Sequence, residues 1–324
     1  MLFTEMGLEQ ATRLNVAALH ADRFRQAGIR QVVDLGCGIG GDALALAALG
    51  IEVTAVERDP VTAAIASFNL APWPNAKVVE SDAESFDLTG FEGVWLDPAR
   101  RDNSKRLSDP NQWTPPLDFA FEIRQRLPIG IKLSPAMDRN LIPEGMEAQW
   151  VSVDGDAVEL VLWSGVLARE GIARAATVIK AGSRFELVGA SDSKDVEIGA
   201  LNKFLYEPDP VVIRARMIGT LARQVGATMI APKIAWMSSA ERIDTPFANR
   251  FEVVETVSID RKKIQTMLTS HGVGTIEIKT RGVDLEPSEF RKQLKLKGSK
   301  AATLILTRIE NKRIAVLARR DTEN

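Results

Sequence analysis

The length and composition are those of a globular protein of about two domains. The chain has 324 residues, of which 45% are hydrophobic and 26% charged, which excludes a disordered or collagen-like chain. No apolar run approaches the roughly 18 residues that cross a bilayer, and the first ten residues lack the basic and apolar segments of a secretory signal. Cys37 is the only cysteine, so a disulfide framework is excluded, and we expect a cytoplasmic protein without membrane contact.

The formal net charge of −2 hides an asymmetry between the two halves of the chain. Residues 1–166 contain 14 basic and 24 acidic residues, whereas residues 167–324 contain 27 basic and 19 acidic ones. A basic half can attract a polyanion such as RNA by releasing its counterions. Attraction between two oppositely charged domains is the alternative, and the counts favour RNA only slightly.

The first half of the chain alternates strands with helices. A helix over 8–27 is predicted from apolar residues near helical spacing, and Gly28 ends it. This alternation is typical of a parallel sheet with helices on both faces, and several consecutive strands at the end predict an antiparallel edge. We therefore predict a doubly wound, Rossmann-like α/β domain. Its further predicted elements are strand 31–35, helix 41–49, strand 51–57, helix 60–70, strand 76–81, strand 93–97, helix 116–126, strand 128–134, and strands at 147–153, 157–167, 173–180 and 184–190.

The second half begins with a polar stretch, SDSKD at 191–195, which suits a linker. A helix-rich region over 206–226 follows, and Pro208 and Pro210 precede its helix. The tail is predicted as strand 251–258, helix 260–270, strand 274–280, helix 286–296, strand 301–309 and strand 312–319. We predict an N-terminal helix plus α/β domain over 1–192 and a C-terminal region over 193–324, with an α+β core at about 245–324.

The strongest functional signal is a glycine-rich loop, VVDLGCGIGGD, at residues 32–42. It lies between a predicted strand and a predicted helix, where glycines let the backbone turn sharply and let a ligand approach closely. Gly36, Gly38 and Gly41 also fit the dinucleotide pattern G-x-G-x-x-G. The loop alone therefore leaves a nicotinamide cofactor and S-adenosylmethionine both open.

Three acids at the ends of neighbouring strands favour S-adenosylmethionine. Asp34, on the first strand, suits a ligand with an ammonium and a sulfonium and would repel a pyrophosphate. Glu57 ends the second strand and can accept both ribose hydroxyls, although an acid does the same in dinucleotide folds. Asp82 follows the third strand and could accept from the adenine amino group, with the Ala83 amide facing a ring nitrogen. The structural alternatives are a surface acid for Glu57 and a turn cap for Asp82.

The segment WLDPAR at 95–100 ends the fourth strand. Ligands in open α/β sheets bind outside the carboxyl ends of the strands, so Asp97 is expected to face the methyl group of the cofactor. A sulfonium is already activated, and Asp97 could orient an amine or take its proton. The alternative is a buried acid that caps the following turn. Arg100 and Arg101 could meet a phosphate or carboxylate of the substrate.

The fifth strand ends at the same edge with IKLSPAMD at 131–138. Lys132, Ser134 and Asp138 are further candidates for the site. Because side chains alternate along a strand, only some of these residues can face it.

The remaining reactive residue types give no separate site. Cys37 is interpreted as a small residue beside the cofactor rather than as a nucleophile. His20 and His271 lie far from any motif in the sequence. One cysteine and two histidines form no cluster with metal-ligand spacing, so no metal is expected.

The ordered motifs resemble those of class I S-adenosylmethionine-dependent methyltransferases. The resemblance is carried by DLGCGIGGD (34–42), Glu57, SDA (81–83) and LDPAR (96–100), and it runs from about residue 30 to 135. It implies S-adenosylmethionine as cofactor and a Rossmann-like methyltransferase domain. The cofactor-binding residues that it implies are Asp34, Gly36, Gly38, Gly40, Glu57, Arg58, Asp82 and Ala83.

The LDPAR segment is similar to the Asp/Asn-Pro-Pro-aromatic motif of amino methyltransferases. That motif implies that Asp97 and Pro98 are catalytic, and Arg100 is added to them as the charged residue at its fourth position. Ala99 and Arg100 stand where the motif has its second proline and its aromatic ring. Without the ring that stacks on a flat base, methylation of an exocyclic base amine is disfavoured.

A basic stretch at 277–306 stands out in the C-terminal region. Basic side chains together with backbone amides at the turns of Gly282 and Gly298 can follow a phosphate chain. A solvated helix face is the alternative, and Phe290, the only aromatic residue in the stretch, gives little support for base stacking. The basic residues are Lys279, Arg281, Arg291, Lys292, Lys295, Lys297 and Lys300.

Over nearly its whole length the sequence resembles bacterial class I methyltransferases that carry a C-terminal THUMP-like domain. THUMP domains bind RNA in RNA-modifying enzymes, so the resemblance implies RNA contacts through Lys279, Arg281, Lys295 and Lys297. The segments that carry it are LEQAT (8–12), DLGCGIGGD (34–42), LDPARR (96–101), KLSPAMD (132–138), YEPDP (206–210), TPFANRFEV (245–253), IKTRGVD (278–284) and LKLKG (294–298).

Three functions remain open from the sequence. The first is an RNA methyltransferase with Asp97 at the reacting centre and the basic tail on RNA. The second is a methyltransferase for a protein or small molecule whose tail serves assembly, and the third is a module that binds S-adenosylmethionine without catalysis. The oligomeric state is left open.

Overall fold

The chain forms two compact units in the computed structural model. The described residues are 2–3, 12–99, 101–102, 105–106 and 109–321, with only the backbone described for 101–102 and 105–106. The first unit falls in Met1–Val153, Ala157–Thr177 and Val188–Ser191, and the second in Asp154–Asp156, Val178–Leu187 and Asp192–Asn324. Among the described residues, no helix has the length and apolar character needed to cross a membrane.

The first unit is built on a doubly wound sheet. The helices are α1 (Leu14–Gln26), α2 (Gly41–Ala48), α3 (Pro60–Leu70) and α4 (Leu117–Ile123). The strands are β1 (Gln31–Leu35), β2 (Glu52–Glu57), β3 (Ala76–Glu80), β4 (Gly93–Leu96), β5 (Arg101–Asp102), β6 (Lys105–Arg106), β7 (Ile129–Leu133), β8 (Glu147–Val153), β9 (Asp156–Trp163), β10 (Arg174–Lys180) and β11 (Ser183–Gly189). Among the described residues, the sheet has nine strands in the order β11-β10-β8-β9-β7-β4-β1-β2-β3, and β5 and β6 form a separate two-stranded ribbon. The end of β10 and most of β11 fall in Val178–Leu187, which belongs to the second unit.

The strand order defines where a ligand is expected. Strands β3, β2, β1, β4 and β7 are neighbours in that order and pair in parallel. The chain leaves β1 toward β2 on one side and later returns to β4 on the other, so the switch point lies between β1 and β4. Strand β9 is antiparallel to β7, which confirms the predicted antiparallel edge.

Aromatic packing under the sheet explains an unusual glycine. Phe24 of α1, Trp95 of β4 and Trp163 of β9 are almost fully buried, and their ring centroids lie 5.7–6.4 Å apart. A Cβ on Gly130 of β7 would lie 2.6 Å from the Trp163 ring and 2.8 Å from the Trp95 ring. Position 130 of β7 therefore needs a glycine, because the two tryptophan rings fill the space that a side chain would occupy.

The second unit is an α+β structure around a seven-stranded sheet. The helices are α5 (Pro210–Arg214), α6 (Ile218–Gln224), α7 (Arg261–Ser270) and α8 (Pro287–Lys292). The strands are β12 (Phe204–Pro208), β13 (Thr228–Met229), β14 (Met237–Ser239), β15 (Ala248–Ser258), β16 (Val273–Thr280), β17 (Lys300–Ile309) and β18 (Lys312–Arg320). The strand order is β13-β14-β12-β15-β18-β17-β16, antiparallel throughout except for the parallel pair β16 and β17.

Both faces of strands β17 and β18 are covered by apolar residues. Leu304 and Leu306 pack with the α7 and α8 residues Met267 and Phe290 on one face. Ile305 packs with a second cluster that includes Trp236 and Phe251. Alternate residues of a strand point to opposite faces, so these two strands form the centre of the unit.

The predicted elements of the first half are confirmed to within a few residues, and the differences have local causes. The first predicted helix begins at Leu14, because Arg13 has an extended ψ of 137° and Thr12 is not helical either; residues 8–11 of the prediction lie outside the described residues. The strand predicted over 157–167 ends at Trp163, because Gly165 has a φ of 58° and starts a 3₁₀ turn. In the second half, β12, β13 and β14 were missed.

Candidate functional site

The glycine loop turns sharply against the end of β4. Gly36 and Gly38 have φ values of 77° and 54°, in the region that side chains disfavour. A Cβ on Gly36 would lie 3.3 Å from the backbone oxygen of Asp97. Gly40 has a φ of 86° and immediately precedes α2. The loop and the LDPAR segment, which are 60 residues apart in the sequence, thus meet at the switch point of the sheet.

Asp34 is a buried acid without a hydrogen-bond partner. Its exposed fraction is 1%, and neither carboxylate oxygen has a partner within the described residues. Burial raises the pKa of Asp34 well above its ordinary value, and the nearby acids Asp42, Asp97 and Glu57 raise it further against the opposing effect of Lys132. A buried carboxylate in such acidic surroundings is suited to receive a positively charged ligand.

Glu57 links the end of β2 to the glycine loop. It is half-buried, and its two oxygens accept hydrogen bonds of 3.0 Å from the backbone amides of Gly38 and Asp59. The carboxylate is therefore fixed beside the loop, rather than free on the surface. The next residue, Arg58, is exposed.

Asp82 and Ala83 follow β3 at the same edge of the sheet. Asp82 is exposed and accepts a hydrogen bond of 2.9 Å from the amide of Glu84, which makes it the cap of a local turn. Ala83 is half-buried.

Asp97 is paired with a buried lysine on the neighbouring strand. Lys132 Nζ lies 2.5 Å from Asp97 Oδ2, and the Asp97 side chain is 27% exposed. Burial alone would lower the pKa of Lys132, but the negative charges of Asp97, Asp42 and Glu159 raise it above its ordinary value. Lys132 is therefore an ammonium that holds a partly accessible carboxylate at the switch point.

The other residues predicted in the two segments are less central. Pro98 is buried, and Ala99 is joined to Thr114 by two main-chain hydrogen bonds of 2.8 and 3.1 Å. Arg100 lies outside the described residues, and for Arg101 only the backbone is described. Ser134 is buried, whereas Asp138 is exposed and caps a 3₁₀ turn through the amide of Asn140.

Cys37 is buried within the loop. Burial raises the pKa of its thiol well above the ordinary value, and the charges of Asp34 and Glu57 raise it further. The thiol is therefore protonated at neutral pH, which agrees with a packing role and not with that of a nucleophile.

His20 was interpreted as remote from every motif, and that interpretation is wrong. Its Nδ1 lies 2.7 Å from Asp42 Oδ1, at the end of the glycine-rich motif, and its Nε2 lies 2.6 Å from Glu159 Oε1. A sequence signal for its burial exists, because Ala17, Ala21 and Phe24 share its face of α1. Nothing in the sequence indicates its two partners, which come from α2 and β9.

The basic residues proposed to contact RNA have two kinds of surroundings in the second unit. Lys279 Nζ lies 2.9 Å from Glu207 Oε2, and Arg281 donates to the backbone oxygen of Ala235 at 2.9 Å. Lys295 and Lys297 are exposed and form no ion pair among the described residues.

A second group of cations lies beside Lys295. The side chain of Gln265 in α7 exchanges two hydrogen bonds, of 2.7 and 2.8 Å, with the backbone of Lys295. Arg261 and Lys262, one turn earlier on α7, are exposed. These two residues together with Lys295 and Lys297 are named the basic surface.

Comparisons with known proteins agree with this arrangement. A family model described as "Putative SAM-dependent methyltransferase" matches residues 9–85, and one described as "THUMP domain-like" matches residues 248–320. Two proteins from Mycobacterium tuberculosis strains CDC 1551 and H37Rv, each described as an uncharacterized S-adenosylmethionine-dependent methyltransferase, are 32% identical over 316 residues. These matches cover 95% of this chain and 85% of each relative.

The fold is also found in a solved structure. A crystal structure described as a "putative methyltransferase" from Porphyromonas gingivalis W83 superposes with a TM-score of 0.75 at 20% identity, covering 99% of this chain and 83% of that one. The doubly wound sheet with a glycine loop at its switch point defines a Rossmann-like domain, here followed by a THUMP-like domain. The chain belongs to the family of S-adenosylmethionine-dependent methyltransferases, and its cofactor is S-adenosylmethionine.

Proposed function

We propose that the protein methylates RNA, with the cofactor held at the glycine loop and the accepting group at Asp97. The observation that carries the cofactor placement is the unpartnered, buried carboxylate of Asp34. Glu57 already faces the loop through the Gly38 amide, and its remaining lone pairs are available to ribose hydroxyls. Gly36, Gly38 and Gly40 place no side chain at their three positions of the loop, while Ala83 and Asp82 lie at the adjoining strand end, where adenine recognition is proposed. Arg58 is a peripheral member of the set.

The residues of this site supply charge and orientation. Bound S-adenosylmethionine supplies an activated methyl group as a sulfonium. Asp34 ionises against the positive charge of the cofactor, which compensates the cost of its burial. Asp97, held by Lys132, accepts a hydrogen bond from the nucleophile and orients it for in-line attack. Pro98 shapes the turn, and Arg100 is proposed to contact an anionic group of the substrate.

RNA is proposed as the substrate because of the basic surface in the second unit. Four exposed cations, Arg261, Lys262, Lys295 and Lys297, lie on two segments joined through Gln265. Lys279 and Arg281 are assigned a supporting role, since their charged groups already contact Glu207 and the backbone of the same unit. The THUMP-like match over 248–320 contains all of these residues except Glu207.

RNA binding is tested with a double variant and a matched control. In Lys295→Ala/Lys297→Ala, the slope of log affinity against log salt for single-stranded RNA should become shallower by about 1.4, at roughly 0.7 per lost phosphate contact. Arg214→Ala/Lys233→Ala removes two exposed basic residues outside the THUMP-like match and should leave the slope unchanged. An unchanged slope in the first variant would remove the basic surface from the proposal.

Methylation itself is tested with radiolabelled cofactor. The protein is incubated with methyl-tritiated S-adenosylmethionine and either RNA or protein from a strain of the source organism that lacks the gene. Label in the RNA fraction, lost with Asp97→Ala, is the expected result. Label in the protein fraction alone would favour a methyltransferase that acts on protein, and label in neither fraction would favour a module that binds S-adenosylmethionine without catalysis.

A further inference from the structure

His20 is held between two buried carboxylates. Its two ring nitrogens lie 2.7 Å from Asp42 Oδ1 and 2.6 Å from Glu159 Oε1, and the three residues are 2%, 7% and 3% exposed. An ionised carboxylate only accepts hydrogen bonds, so the ring must donate from both nitrogens and is an imidazolium. The ring also stacks on Trp95 with a centroid distance of 4.3 Å.

The contacts of His20 join three elements around the glycine loop. His20 lies on α1, Asp42 lies in the first turn of α2 directly after the loop, and Glu159 lies on β9. The second oxygen of Asp42 accepts a hydrogen bond of 2.6 Å from Thr12 Oγ1. Both carboxylate oxygens of Asp42, at the end of the loop, are therefore held by the segment over 12–26.

The charge of His20 is needed in this position. Asp42 and Glu159 face the ring from opposite sides, and Lys132 of β7, whose charge also acts on both, already pairs with Asp97. Asp34 of β1 adds a further acid beside Asp42. The two carboxylates raise the pKa of His20 to about 9 against the effect of burial, which lowers it. Without the imidazolium, two buried acids would lose their partner, and such a loss is strongly destabilising.

We propose that His20 is a positioning residue for cofactor binding. Its imidazolium fixes Asp42 relative to β9 and so holds the end of the glycine loop in the shape that receives the cofactor. His20 acts through Asp42 and does not itself touch the cofactor. The inference rests on the cofactor placement proposed above.

The test uses variants that separate charge balance from simple filling of space. In His20→Gln, the amide group donates to Asp42, but its oxygen then faces the carboxylate of Glu159. In His20→Gln/Glu159→Gln, the amide at position 159 donates to the amide oxygen at position 20, so that oxygen again meets a donor and the extra negative charge is removed. The matched control is His271→Gln, because His271 is the only other histidine and pairs with Glu255 in the second unit.

Affinity for S-adenosylmethionine is measured by calorimetry at pH 7.5, with folding checked by circular dichroism. His20→Gln should weaken binding by about tenfold or more, as expected for a buried charged group that loses its partner. The double variant should bind within about threefold of the wild type, and His271→Gln should bind like the wild type. A space-filling role would leave the single and the double variant equally weak, and that outcome overturns the proposal.

Failure to fold and failure of the cofactor placement are distinguished from failure of the proposal. If His20→Gln does not fold, the folded double variant carries the test alone, and binding tenfold weaker than in the wild type overturns the proposal. Wild-type affinity in His20→Gln overturns it too. A Gly38→Arg variant measured in parallel addresses the cofactor placement: unchanged affinity there would reject the placement, whatever His20 does.

Discussion

Removing the charge of Glu159 should shift the titration of His20 strongly. The pKa of His20 is raised from 6.5 to about 9 although burial lowers it, and the charge of Glu159 is the largest of the contributions that raise it. The net shift corresponds to about 3 kcal/mol, at roughly 1.4 kcal/mol per pH unit. In Glu159→Gln only Asp42 still opposes burial, so the pKa of His20 should fall by roughly 1–3 units.

The assay is proton NMR of the histidine ring C–H groups between pH 5 and 10.5. The chain contains two histidines, so the protein without an affinity tag gives two titration curves, and His271→Gln assigns them. In the wild type, one curve should have its midpoint near 9, and in Glu159→Gln that midpoint should be lower. A wild-type midpoint near 6.5 for His20, or an unchanged midpoint in Glu159→Gln, would show that the charge of Glu159 does not raise the pKa of His20.

Three more predictions concern residues of the first unit. Because its pKa is raised, His20 stabilises the fold fully below about pH 6.5 and loses that contribution as the pH rises through about 9. The Tm of the wild type should therefore fall more steeply between pH 7 and 10 than the Tm of His20→Gln. Parallel curves of Tm against pH would contradict this. Asp34→Asn should raise the Tm of the cofactor-free protein at pH 7, because an acid with a raised pKa disfavours folding at pH values above the ordinary carboxyl pKa. The same variant should weaken S-adenosylmethionine binding by about tenfold or more. A lower Tm would show that the carboxylate of Asp34 has a partner. A double-mutant cycle of Asp97→Asn and Lys132→Met in urea should give a coupling of about 1–3 kcal/mol, whereas additive effects would mean that the pair does not form.

The predictable part of the fold was the part with strong periodicity and clear ends. Helix α3 is an example, since Asp59 caps its first turn and Pro60 occupies its first position. Strands β12 to β14 were missed for an equally local reason. Strands β13 and β14 have two and three residues, too few to show alternation, and Pro208 and Pro210 in the YEPDP segment suggested only the approach to a helix.

The candidate site also has a part that the sequence predicts and a part that it does not. Asp34, Glu57 and Asp97 were predicted from the sequence because each lies at or near the carboxyl end of a strand, and the edge of a parallel sheet brings such positions together. The partners of these residues could not be predicted. Lys132 was one of three candidates in the segment 131–138, and only the packing of β7 beside β4 selects it for Asp97. His20 lies 139 residues from Glu159, and no local pattern connects them.

Calorimetric titration tests whether the glycine loop with Asp34 and Glu57 holds S-adenosylmethionine. Wild type, Gly38→Arg and Gly50→Arg are each titrated with S-adenosylmethionine and with NADH. Gly38 and Gly50 both have positive φ and open space around them, so the two substitutions strain the backbone alike, but Gly50 lies at the far end of α2. Wild type and Gly50→Arg should bind S-adenosylmethionine and not NADH, and Gly38→Arg should bind neither. Binding of S-adenosylmethionine by Gly38→Arg with wild-type affinity, or binding of NADH by the wild type, would contradict this prediction.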